Sequence, residues 1–492
     1  MEIPEPQLLI DGKLVPASDG TTYPILNPAT GAEIGRAPDA GADDVDAAIT
    51  AARRAFDETG WATDHAFRVR CLRQLHQALV DHAPAMHELT TAEVGAPAFL
   101  LAGPQYDVPV ASVAWVADLL ESYEWERELG RAEPMGIPTD RTVRREPVGV
   151  VAAITPWNFP NQINLNKVAP ALAAGCTVVL KAAPDTPWVA CELGRLVAEH
   201  TDIPAGVFNV VTPRDNEIAG RLVTDPRVDL VSFTGSTATG KAIMAAAAPT
   251  LKKVCLELGG KSAAIVLDDA DLATAVGTAA FSVCVHAGQG CALTTRLLVP
   301  RDRYDEAVQI AADTMTAIGA NDPSDPRTVC GPVISQAQRD RVQRYLDLAI
   351  EEGGTFAAGG SVDDDKQDHL AGGFWIRPTV IAGLSNDARV AQEEVFGPVL
   401  VVLPHDGDDD AVRLANASPY GLSGSVDSGS PERARDVAHR VRTGTLAVNG
   451  GVWFSPDAPF GGYKHSGIGR EMGLEGFEEY LEIKLIATGA GQ

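Results

Sequence analysis

The stretch GVVAAITPWNFPNQINLNKVAPALAAGCTVVLK, residues 149–181, decides the fold. It opens on a continuously apolar run over residues 149–155, which predicts a buried strand. Two prolines then flank the tripeptide WNF and stop regular structure. A helical stretch follows and ends on Gly175, which is typical of a helix C-cap, before a second apolar strand. The order of strand, helix and strand predicts a unit of a parallel sheet.

The same alternation continues toward the C-terminus. Strands are predicted over 208–212, 228–235, 252–260, 262–268, 294–300 and 396–404, and helices over 186–200 and 236–248. The strands are rich in Val, Ile and Leu without polar alternation, so we expect both faces of the sheet to be buried under helices. The sequence therefore predicts an α/β fold with two parallel-sheet regions, the second of which begins near residue 262.

Two polar segments interrupt this pattern. Residues 123–148 lack helical periodicity after Arg131, and the ribbon within 135–148 alternates like an exposed strand. A partner subunit would cover such an edge, so we expect this arm and the C-terminal strand at 478–488 to pair across subunits in a dimer or a dimer-based tetramer. Residues 359–373 are predicted to form a polar insertion loop.

Composition narrows the classes of partner. The chain has 66 acidic and 40 basic residues and a formal net charge of −26, which argues against binding to nucleic acid or to an anionic membrane. No apolar run approaches the roughly 20 residues that cross a bilayer, and the N-terminus does not resemble a secretory signal. The seven cysteines include no CxxC and no Cys/His cluster with zinc spacing. We therefore expect a cytoplasmic protein with reduced thiols and no metal site.

Cys291, in the string HAGQGC, is the strongest candidate for a nucleophile. Most free cysteines are small buried hydrophobes, and Cys284, on a predicted helix over 271–287, is expected to be one. Cys291 differs because Gly288 and Gly290 give it an open approach. The thiolate is the reactive form, with an ordinary pKa of about 8.5, so the site must lower that pKa or remove the proton during attack.

Two further polar residues follow apolar strands. Glu257, in LELGGKS, is either an exposed strand-end carboxylate or a buried general base with a raised pKa. Asn158 follows the strand at 149–155, at the edge where parallel sheets bind ligands. It is either a turn former beside Pro156 or an amide donor to an oxyanion, an interaction worth about 2.7–4 kcal/mol. A thiol that attacks a carbonyl and a carboxylate that later activates water form a complete covalent cycle.

The string FTGSTATGKA at 233–242 resembles a phosphate-binding P-loop, because Gly235, Gly240 and Lys241 fit GxxxxGK between a strand and a helix. Ala242 replaces the Ser or Thr that would hold magnesium, which argues against a nucleotide hydrolase. A Gly–Ser turn at a helix N-terminus suits the pyrophosphate of a dinucleotide equally well.

PWNFP, FTGS, LELGGKS, HAGQGC and PFGGYKHSGIGRE are together similar to motifs of the aldehyde dehydrogenase superfamily, and the match covers essentially the whole chain. The resemblance implies a subunit of three parts. These are a dinucleotide-binding α/β domain (1–122 and 149–258), a catalytic α/β domain (259–470), and a β-hairpin oligomerisation arm with a C-terminal strand (123–148 and 471–492).

The resemblance also assigns residue roles. It makes Cys291 the nucleophile, Glu257 the general base and Asn158 the oxyanion donor, with Lys167 and Glu471 as a polar relay behind the base. The positions that match cofactor contacts are Trp157 and Lys181 for the adenosine half, Gly235, Ser236 and Gly240 for the pyrophosphate, and Glu394 and Phe396 for the nicotinamide ribose and ring. The positions that match the substrate funnel are Phe159, Gln162, Ile163, Asn166, Asn449, Phe454 and Phe460.

The function that this resemblance implies is oxidation of a small-molecule aldehyde to a carboxylic acid with reduction of NAD or NADP. The alternative is a CoA-acylating semialdehyde dehydrogenase, but such enzymes generally lack the glutamate that Glu257 represents. A catalytically inactive structural relative is a second alternative, which the intact catalytic residues argue against.

Two departures from the family pattern refine this function. Pro184 stands where a ribose-binding Glu often occurs, so the negative charge that would repel the 2′-phosphate of NADP is missing at this position. No arginine lies nearby in the sequence to bind that phosphate. We therefore expect NAD to be preferred and NADP to be used measurably. Gln162 and Asn166 replace bulkier apolar residues, so we expect a substrate with polarity or bulk rather than acetaldehyde.

Overall fold

The computed structural model describes residues 4–489. The strands in this range are β1 (Leu8–Ile10), β2 (Lys13–Val15), β3 (Thr22–Leu26), β4 (Glu33–Pro38), β5 (Glu126–Ala132), β6 (Thr139–Pro147), β7 (Val150–Ile154), β8 (Thr177–Lys181), β9 (Phe208–Val211), β10 (Leu230–Thr234), β11 (Lys253–Glu257), β12 (Ala263–Val266), β13 (Arg296–Pro300), β14 (Thr355–Ala358), β15 (Thr379–Ala382), β16 (Val399–His405), β17 (Gly424–Asp427), β18 (Ala447–Val448), β19 (Gly467–Ile468) and β20 (Leu481–Gly489).

The α-helices of the same range are α1 (Ala42–Glu58), α2 (His65–Asp81), α3 (Ala83–Val94), α4 (Asp107–Ser122), α5 (Pro160–Ala174), α6 (Pro187–His200), α7 (Asn216–Thr224), α8 (Thr237–Ala247), α9 (Leu272–Cys284), α10 (Tyr304–Ile318), α11 (Gln336–Glu351), α12 (Arg389–Gln392), α13 (Asp408–Asn416), α14 (Pro431–Arg440) and α15 (Gly473–Glu478). Across residues 4–489, no helix has both the length and the apolar composition needed to cross a membrane.

The first sheet has eight strands in the order β19-β11-β10-β7-β8-β9-β1-β2. The five strands from β11 to β9 are parallel, and β19, β1 and β2 extend the edges through antiparallel pairs. Alternate residues of β7 enter different apolar clusters, with Val151 in one and Val150 in the other. Since both faces are covered, the strands are apolar throughout. The predicted parallel α/β architecture is confirmed.

The second sheet has seven strands in the order β14-β15-β16-β13-β12-β17-β18. All its pairs are parallel except the one that the edge strand β14 makes with β15. One large apolar cluster joins its central strands to helices α9 to α14. This sheet is the second α/β region that the apolar runs from residue 262 onward predict.

Two predicted helix boundaries are wrong. Pro160 does not stop regular structure but begins α5, because the first helical position needs no N–H donor. The helix predicted over 271–287 ends at Cys284. The chain then forms a short turn in which His286 and Ala287 have left-handed φ angles of 51° and 53°. The following loop contacts Asn158 at the edge of the first sheet before the chain enters β13 of the second sheet.

The arm and the C-terminal strand form a third sheet in the order β20-β6-β5. Strand β20 is antiparallel to β6 over its whole length, from the pair Leu481–Pro147 to the pair Gly489–Thr139. This pairing lies within one chain, so the expectation that these two segments pair with each other across subunits is wrong. Intrachain pairing uses only one edge of β20, and its side chains Ile483 and Leu485 remain exposed.

Candidate active site

A cavity of about 210 Å³ lies where the carboxyl ends of β7, β10 and β11 meet the loop that follows α9. Open parallel sheets bind ligands at this edge. The lining residues are Pro156, Trp157, Asn158, Ile163, Thr234, Gly235, Ser236, Glu257, Leu258, Gly259, Cys291, Gln338, Arg341, Glu394 and Phe396. The fold therefore brings Cys291, Glu257 and Asn158 together, although they are far apart in the sequence.

Cys291 is the accessible thiol of the chain. All seven cysteines are free, and six are buried, including Cys284 as expected, whereas Cys291 is partly exposed. Burial of the sulfur and the nearby carboxylates of Glu257 and Glu394 raise the pKa of the Cys291 thiol well above its ordinary value. The resting thiol is therefore protonated at neutral pH and requires a base when it attacks.

Glu257 ends β11 with only 4% of its surface exposed, so it is not an exposed strand-end carboxylate. Within residues 4–489, neither of its carboxylate oxygens has a hydrogen-bond partner. Burial and the neighbouring Glu471 carboxylate raise the pKa of Glu257 well above its ordinary value, while Lys167 and the Cys291 thiol act in the opposite direction. A carboxyl group with a raised pKa and free oxygens suits a general base that accepts a proton from water.

Asn158 is buried in the turn between β7 and α5. Its side-chain Nδ2 donates to the backbone oxygen of Gln289 at 2.8 Å. An amide nitrogen carries two N–H groups, so the second one remains for an oxyanion. The residue therefore belongs to the turn and also supplies a hydrogen-bond donor to the cavity that contains Cys291.

Lys167 and Glu471 form a buried ion pair behind Glu257. The Lys167 ammonium also donates to Ser232 Oγ at 3.1 Å, and Thr234 Oγ1 donates to the Glu471 carboxylate at 3.2 Å. A buried ion pair persists when such additional hydrogen bonds satisfy its polar atoms. The structure thus places the two residues where the resemblance implies a polar relay.

The predicted pyrophosphate site is the N-terminus of α8. Ser236 caps this helix by accepting the N–H of Thr239 at 3.2 Å. Free N–H groups and the helix dipole make such an end attractive to a phosphate. A Cβ atom at Gly240 would lie 2.7 Å from Leu258, and one at Gly235 would lie 2.5 Å from the Phe233 ring. A side chain at either position would therefore have to displace its neighbour, and glycine lets the strand, turn and helix pack closely.

The predicted nicotinamide positions Glu394 and Phe396 lie on the same cavity as Trp157, which the resemblance assigns to the adenosine half. The two aromatic rings meet edge to face with centroids 5.3 Å apart. Glu394 Oε1 accepts the N–H of Gly260 at 2.9 Å, and burial raises the pKa of Glu394 to about 7. A Cβ atom at Gly259 would lie 2.3 Å from the Glu394 carboxylate. The glycine pair in LELGGKS therefore makes room for this carboxylate beside the cavity.

Lys181 ends β8 beside the loop that contains Pro184. The side chain is 7% exposed, and burial lowers the pKa of its ammonium to about 8, with Asp185 acting in the opposite direction. Pro184 is half-buried and Asp185 is exposed. The carboxylate at position 185 therefore influences Lys181, although Pro184 provides no carboxylate of its own.

Aromatic residues form the predicted substrate side. Phe460, Phe454 and Trp453 belong to one apolar cluster with Cys291, and the rings of Trp453 and Phe460 are stacked 5.3 Å apart. Phe159 packs edge to face against His286 at 5.2 Å.

Three of the predicted substrate positions have other surroundings. Gln162 is half-buried and Asn166 is buried with an unpartnered Nδ2 atom, and neither lines the cavity, whereas their neighbour Ile163 does. Asn449 is exposed, and its side-chain oxygen accepts the N–H of Ser428 at 2.9 Å. Its side chain thus stabilises a turn after β18.

Comparison with known proteins decides the family. The model of the aldehyde dehydrogenase family matches residues 14–486. The chain belongs to this family. A 3-succinoylsemialdehyde-pyridine dehydrogenase from a Pseudomonas species is 42% identical over 98% of both chains, and a geranial dehydrogenase from Castellaniella defragrans is 40% identical over 99% of both.

Solved structures of other family members agree with this assignment. Betaine aldehyde dehydrogenase from Staphylococcus aureus, in complex with NAD+, is 36% identical with a TM-score of 0.94, and the match covers 99% of this chain and 95% of that one. Aldehyde dehydrogenase C from Pseudomonas syringae, a cysteine-to-alanine variant with NAD+ and octanal, is 39% identical with a TM-score of 0.91 over 98% and 96% of the two chains. The prediction of an NAD-dependent aldehyde dehydrogenase is confirmed.

Several residues around the site of this aldehyde dehydrogenase were not predicted from the sequence. Gln338 and Arg341 on α11 line the cavity, and they donate to the backbone oxygens of Phe396 and Glu394 at 2.7 and 2.6 Å. Both lie on a polar helix without a motif, so no local signal distinguishes them from exposed residues. The tertiary contact between α11 and the loop at 394–396 alone places them here.

Proposed function

We propose that Cys291, Glu257 and Asn158 carry out aldehyde oxidation as nucleophile, general base and oxyanion donor. One observation carries this assignment: three groups with suitable properties line the same cavity. They are a partly exposed thiol, a buried carboxyl group without a hydrogen-bond partner in the described residues, and an amide that uses one N–H in a hydrogen bond and has a second to donate. Each group has the chemical property that its step requires.

The first half of the reaction forms a bond between sulfur and carbon. The Cys291 sulfur attacks the aldehyde carbonyl as its proton passes to a base, and the carbonyl oxygen becomes an oxyanion of a hemithioacetal. The free N–H of Asn158 and the backbone N–H of Cys291 donate to that oxyanion. The raised pKa of the thiol means that proton removal must accompany the attack. Because Cys291 is partly exposed, its proton can pass to solvent water, and Glu257 is not needed until the second half of the reaction.

The residues on the other side of the cavity fit a dinucleotide. Glycines allow close approach at the start of α8, Ser236 caps that helix, and the Glu394 carboxylate lies beside the predicted ribose position. When bound, NAD supplies the acceptor for the hydride that the hemithioacetal carbon loses. Trp157, Lys181, Gly235, Ser236, Gly240, Glu394 and Phe396 are proposed to hold it.

The second half hydrolyses the thioester that remains on Cys291. Glu257 removes a proton from water, the resulting hydroxide adds to the thioester carbon, and the Cys291 thiolate leaves as the carboxylic acid forms. Lys167 and Glu471 lie behind Glu257 and are proposed to conduct the proton away. The oxygens of Glu257 are available to this water, because no donor within residues 4–489 occupies them.

Measurement of NADH absorbance with a panel of aldehydes tests the assignment. The Cys291→Ala variant should produce no NADH and should still bind NAD, since the thiol is not among the groups proposed to hold the dinucleotide. A Cys284→Ala variant, which removes a buried thiol, is the matched control and should retain activity. Appreciable NADH from Cys291→Ala would show that the nucleophile is another residue.

The same assay distinguishes the CoA-acylating alternative. With water as acceptor, turnover should not depend on CoA, and the product should be the free acid. A requirement for CoA, with an acyl-CoA product, would favour the alternative, in which Glu257 has no deacylating role.

The proposed substrate is an aldehyde with bulk or polarity. Phe454, Phe460 and Trp453 offer an aromatic surface beside Cys291, which favours a substrate with bulk. The relatives act, by their names, on a pyridine-containing semialdehyde and on geranial. Comparison of kcat/KM across the panel tests this proposal, and a higher value for acetaldehyde than for every larger or polar aldehyde would contradict it.

The proposed assembly is a cytoplasmic dimer or a dimer-based tetramer. The third sheet exposes Ile483 and Leu485 on the outermost strand β20, and Met135 and Ile137 are exposed between β5 and β6. An unpaired edge with exposed apolar side chains favours association with a second copy. We also propose a dinucleotide-binding domain of residues 1–122 and 149–258, a catalytic domain of residues 259–470, and an oligomerisation unit of residues 123–148 and 471–492. Light scattering that shows a monomer at micromolar concentration would contradict the assembly.

A further inference from the structure

The backbone oxygen of Asn158 is held by side chains from two distant segments. Gln105, just before α4, donates its Nε2 to this oxygen at 2.8 Å. His286, in the turn after α9, donates its Nε2 to the same oxygen at 2.9 Å. Both donors are fully buried. Neither belongs to the cavity lining, so their contact with the site passes through Asn158.

The segment that carries His286 also carries Cys291. Between them, Gln289 accepts the N–H of Ile334 at 2.9 Å and donates to the backbone oxygens of His286 and Pro332 at 3.1 and 3.3 Å. The Gln289 backbone oxygen accepts the Asn158 amide. The oxyanion donor is therefore fixed at its backbone and at its side chain by the loop that presents the nucleophile.

The His286 backbone has a left-handed φ of 51°, a conformation that is unfavourable for a residue other than glycine. Such strain persists where the surrounding contacts hold it. Here the ring is 1% exposed, packs against Phe159 and bonds to Asn158. The side-chain contacts of His286 therefore stabilise a backbone conformation that the residue would otherwise avoid.

The His286 ring is neutral, with its proton on Nε2. A carbonyl oxygen can only accept, so the nitrogen that faces Asn158 must carry the hydrogen. The other nitrogen, Nδ1, is buried and has no hydrogen-bond partner among residues 4–489, and burial lowers the pKa of His286 to about 4. The donor to Asn158 is consequently present throughout the neutral and alkaline range.

We infer that His286 and Gln105 are positioning residues for the oxyanion donor: together they orient Asn158 so that its free N–H meets the oxyanion formed at Cys291. This inference rests on the proposed role of Asn158. Since the two residues touch no reacting atom, their loss should slow the step that develops the oxyanion and leave the nucleophile and the cofactor site intact.

Two pairs of variants test the inference in the full-length enzyme. His286→Leu removes the donor, whereas His286→Gln keeps an N–H donor at a similar distance from the backbone. Leu and Gln must both adopt the left-handed φ at position 286, so the two variants differ mainly in the donor. Gln105→Leu removes the second donor from a different segment. His405→Leu is the matched control, because His405 is also buried and also donates Nε2 to a backbone oxygen, that of Val266, at 2.9 Å, outside the cavity lining.

Two rates are measured for each variant, with Tm as a check on folding. One is the single-turnover rate of NADH formation, which requires the oxyanion. The other is the rate of Cys291 alkylation by iodoacetamide, a displacement at a saturated carbon that forms no oxyanion. Displacement of the donor should lower the NADH rate about tenfold or more in His286→Leu and in Gln105→Leu, with near-wild-type values in His286→Gln and His405→Leu.

Alkylation should remain at the wild-type rate in all variants. A parallel fall in both rates would show that His286 supports the nucleophile loop rather than Asn158, and would overturn the inference. Equal slowing by His286→Gln and His286→Leu, or no slowing in either leucine variant, would overturn it as well. A wild-type enzyme that forms no NADH with any aldehyde of the panel would instead refute the proposed function, which separates the two failures.

Discussion

Glu93 and Glu257 are two buried glutamates with opposite surroundings. Glu93, on α3, is completely buried, and its two carboxylate oxygens accept the N–H groups of Trp188 and Val189 at 2.7 and 3.0 Å. These are unsatisfied donors in the first turn of α6. Glu257 is nearly as buried, yet within the described residues it has no hydrogen-bond partner.

The difference distinguishes a structural carboxylate from a functional one. Burial raises the pKa of both groups, to about 8 for Glu93 and well above the ordinary value for Glu257. A raised pKa alone therefore does not identify the base. The free oxygens of Glu257 and its place on a cavity beside a thiol do, because a base must be able to reach its proton.

The largest expected effect is on turnover in Glu257→Gln. Steady-state NADH production should fall about 10²–10⁴-fold, the usual contribution of a general base. Glu93→Gln is the control, and its turnover should remain close to that of the wild type under conditions where both proteins are folded. Similar losses of turnover in the two variants would remove the distinction between the two carboxylates.

The loss of stability should show the reverse order, with Glu93→Gln destabilised more than Glu257→Gln. Glu93→Gln places an amide N–H₂ group opposite a backbone N–H of α6, and a buried donor left without an acceptor costs about 1–3 kcal/mol. Glu257→Gln breaks no hydrogen bond in the described residues and should leave the free energy of unfolding unchanged or higher. Urea denaturation of both variants near pH 6 checks this order, and a larger loss in Glu257→Gln would contradict it.

The loss of stability in Glu93→Gln, relative to the wild type, should depend on pH. The pKa of Glu93 is about 8 in the folded protein, above its ordinary value of 4.5, so the folded state holds the proton more tightly. The stability that comes from this proton is complete below the unfolded pKa and is lost as pH rises through the folded value. The Tm difference between wild type and Glu93→Gln should therefore shrink between about pH 5 and pH 8.5. A difference that widens over this range would show the opposite sign.

The smallest expected effect concerns Lys181, a buried cation at the proposed adenosine site. Pro184 gives it no neighbouring carboxylate at that position, so NAD should be preferred and NADP used measurably. Pro184→Glu should lower the NADP/NAD ratio of kcat/KM, since a carboxylate there would repel a 2′-phosphate. Asp185→Asn removes an exposed carboxylate that acts on Lys181 and should move this ratio in the opposite direction. A clear NADP preference in the wild type would contradict this interpretation of Pro184.

Much of this site could be predicted from short motifs because its residues follow strands. The apolar runs ending at residues 154 and 257 indicate parallel strands, and parallel strands bring Asn158 and Glu257 to one edge. Cys291 could be singled out because glycines surround it.

The remaining contacts depend on tertiary packing. Gln105 and His286 reach Asn158 from segments with no strand periodicity, and Gln338 and Arg341 depend on how α11 packs. The pairing of β20 with β6 within one chain also depends on the path of the polypeptide, because an exposed alternating pattern specifies a partner strand but not its source.

The most direct test of the central claim is a search for acyl-enzyme in Glu257→Gln. Mixed with aldehyde and NAD, this variant should release about one NADH per active site in a burst and then nearly stop, because the thioester forms and water is not activated. Intact-protein mass spectrometry after the burst should show one acyl group, located on Cys291 by peptide mapping. A variant with no burst and no acylated Cys291 would show that Glu257 acts before hydride loss, and would contradict its assignment as the base for deacylation.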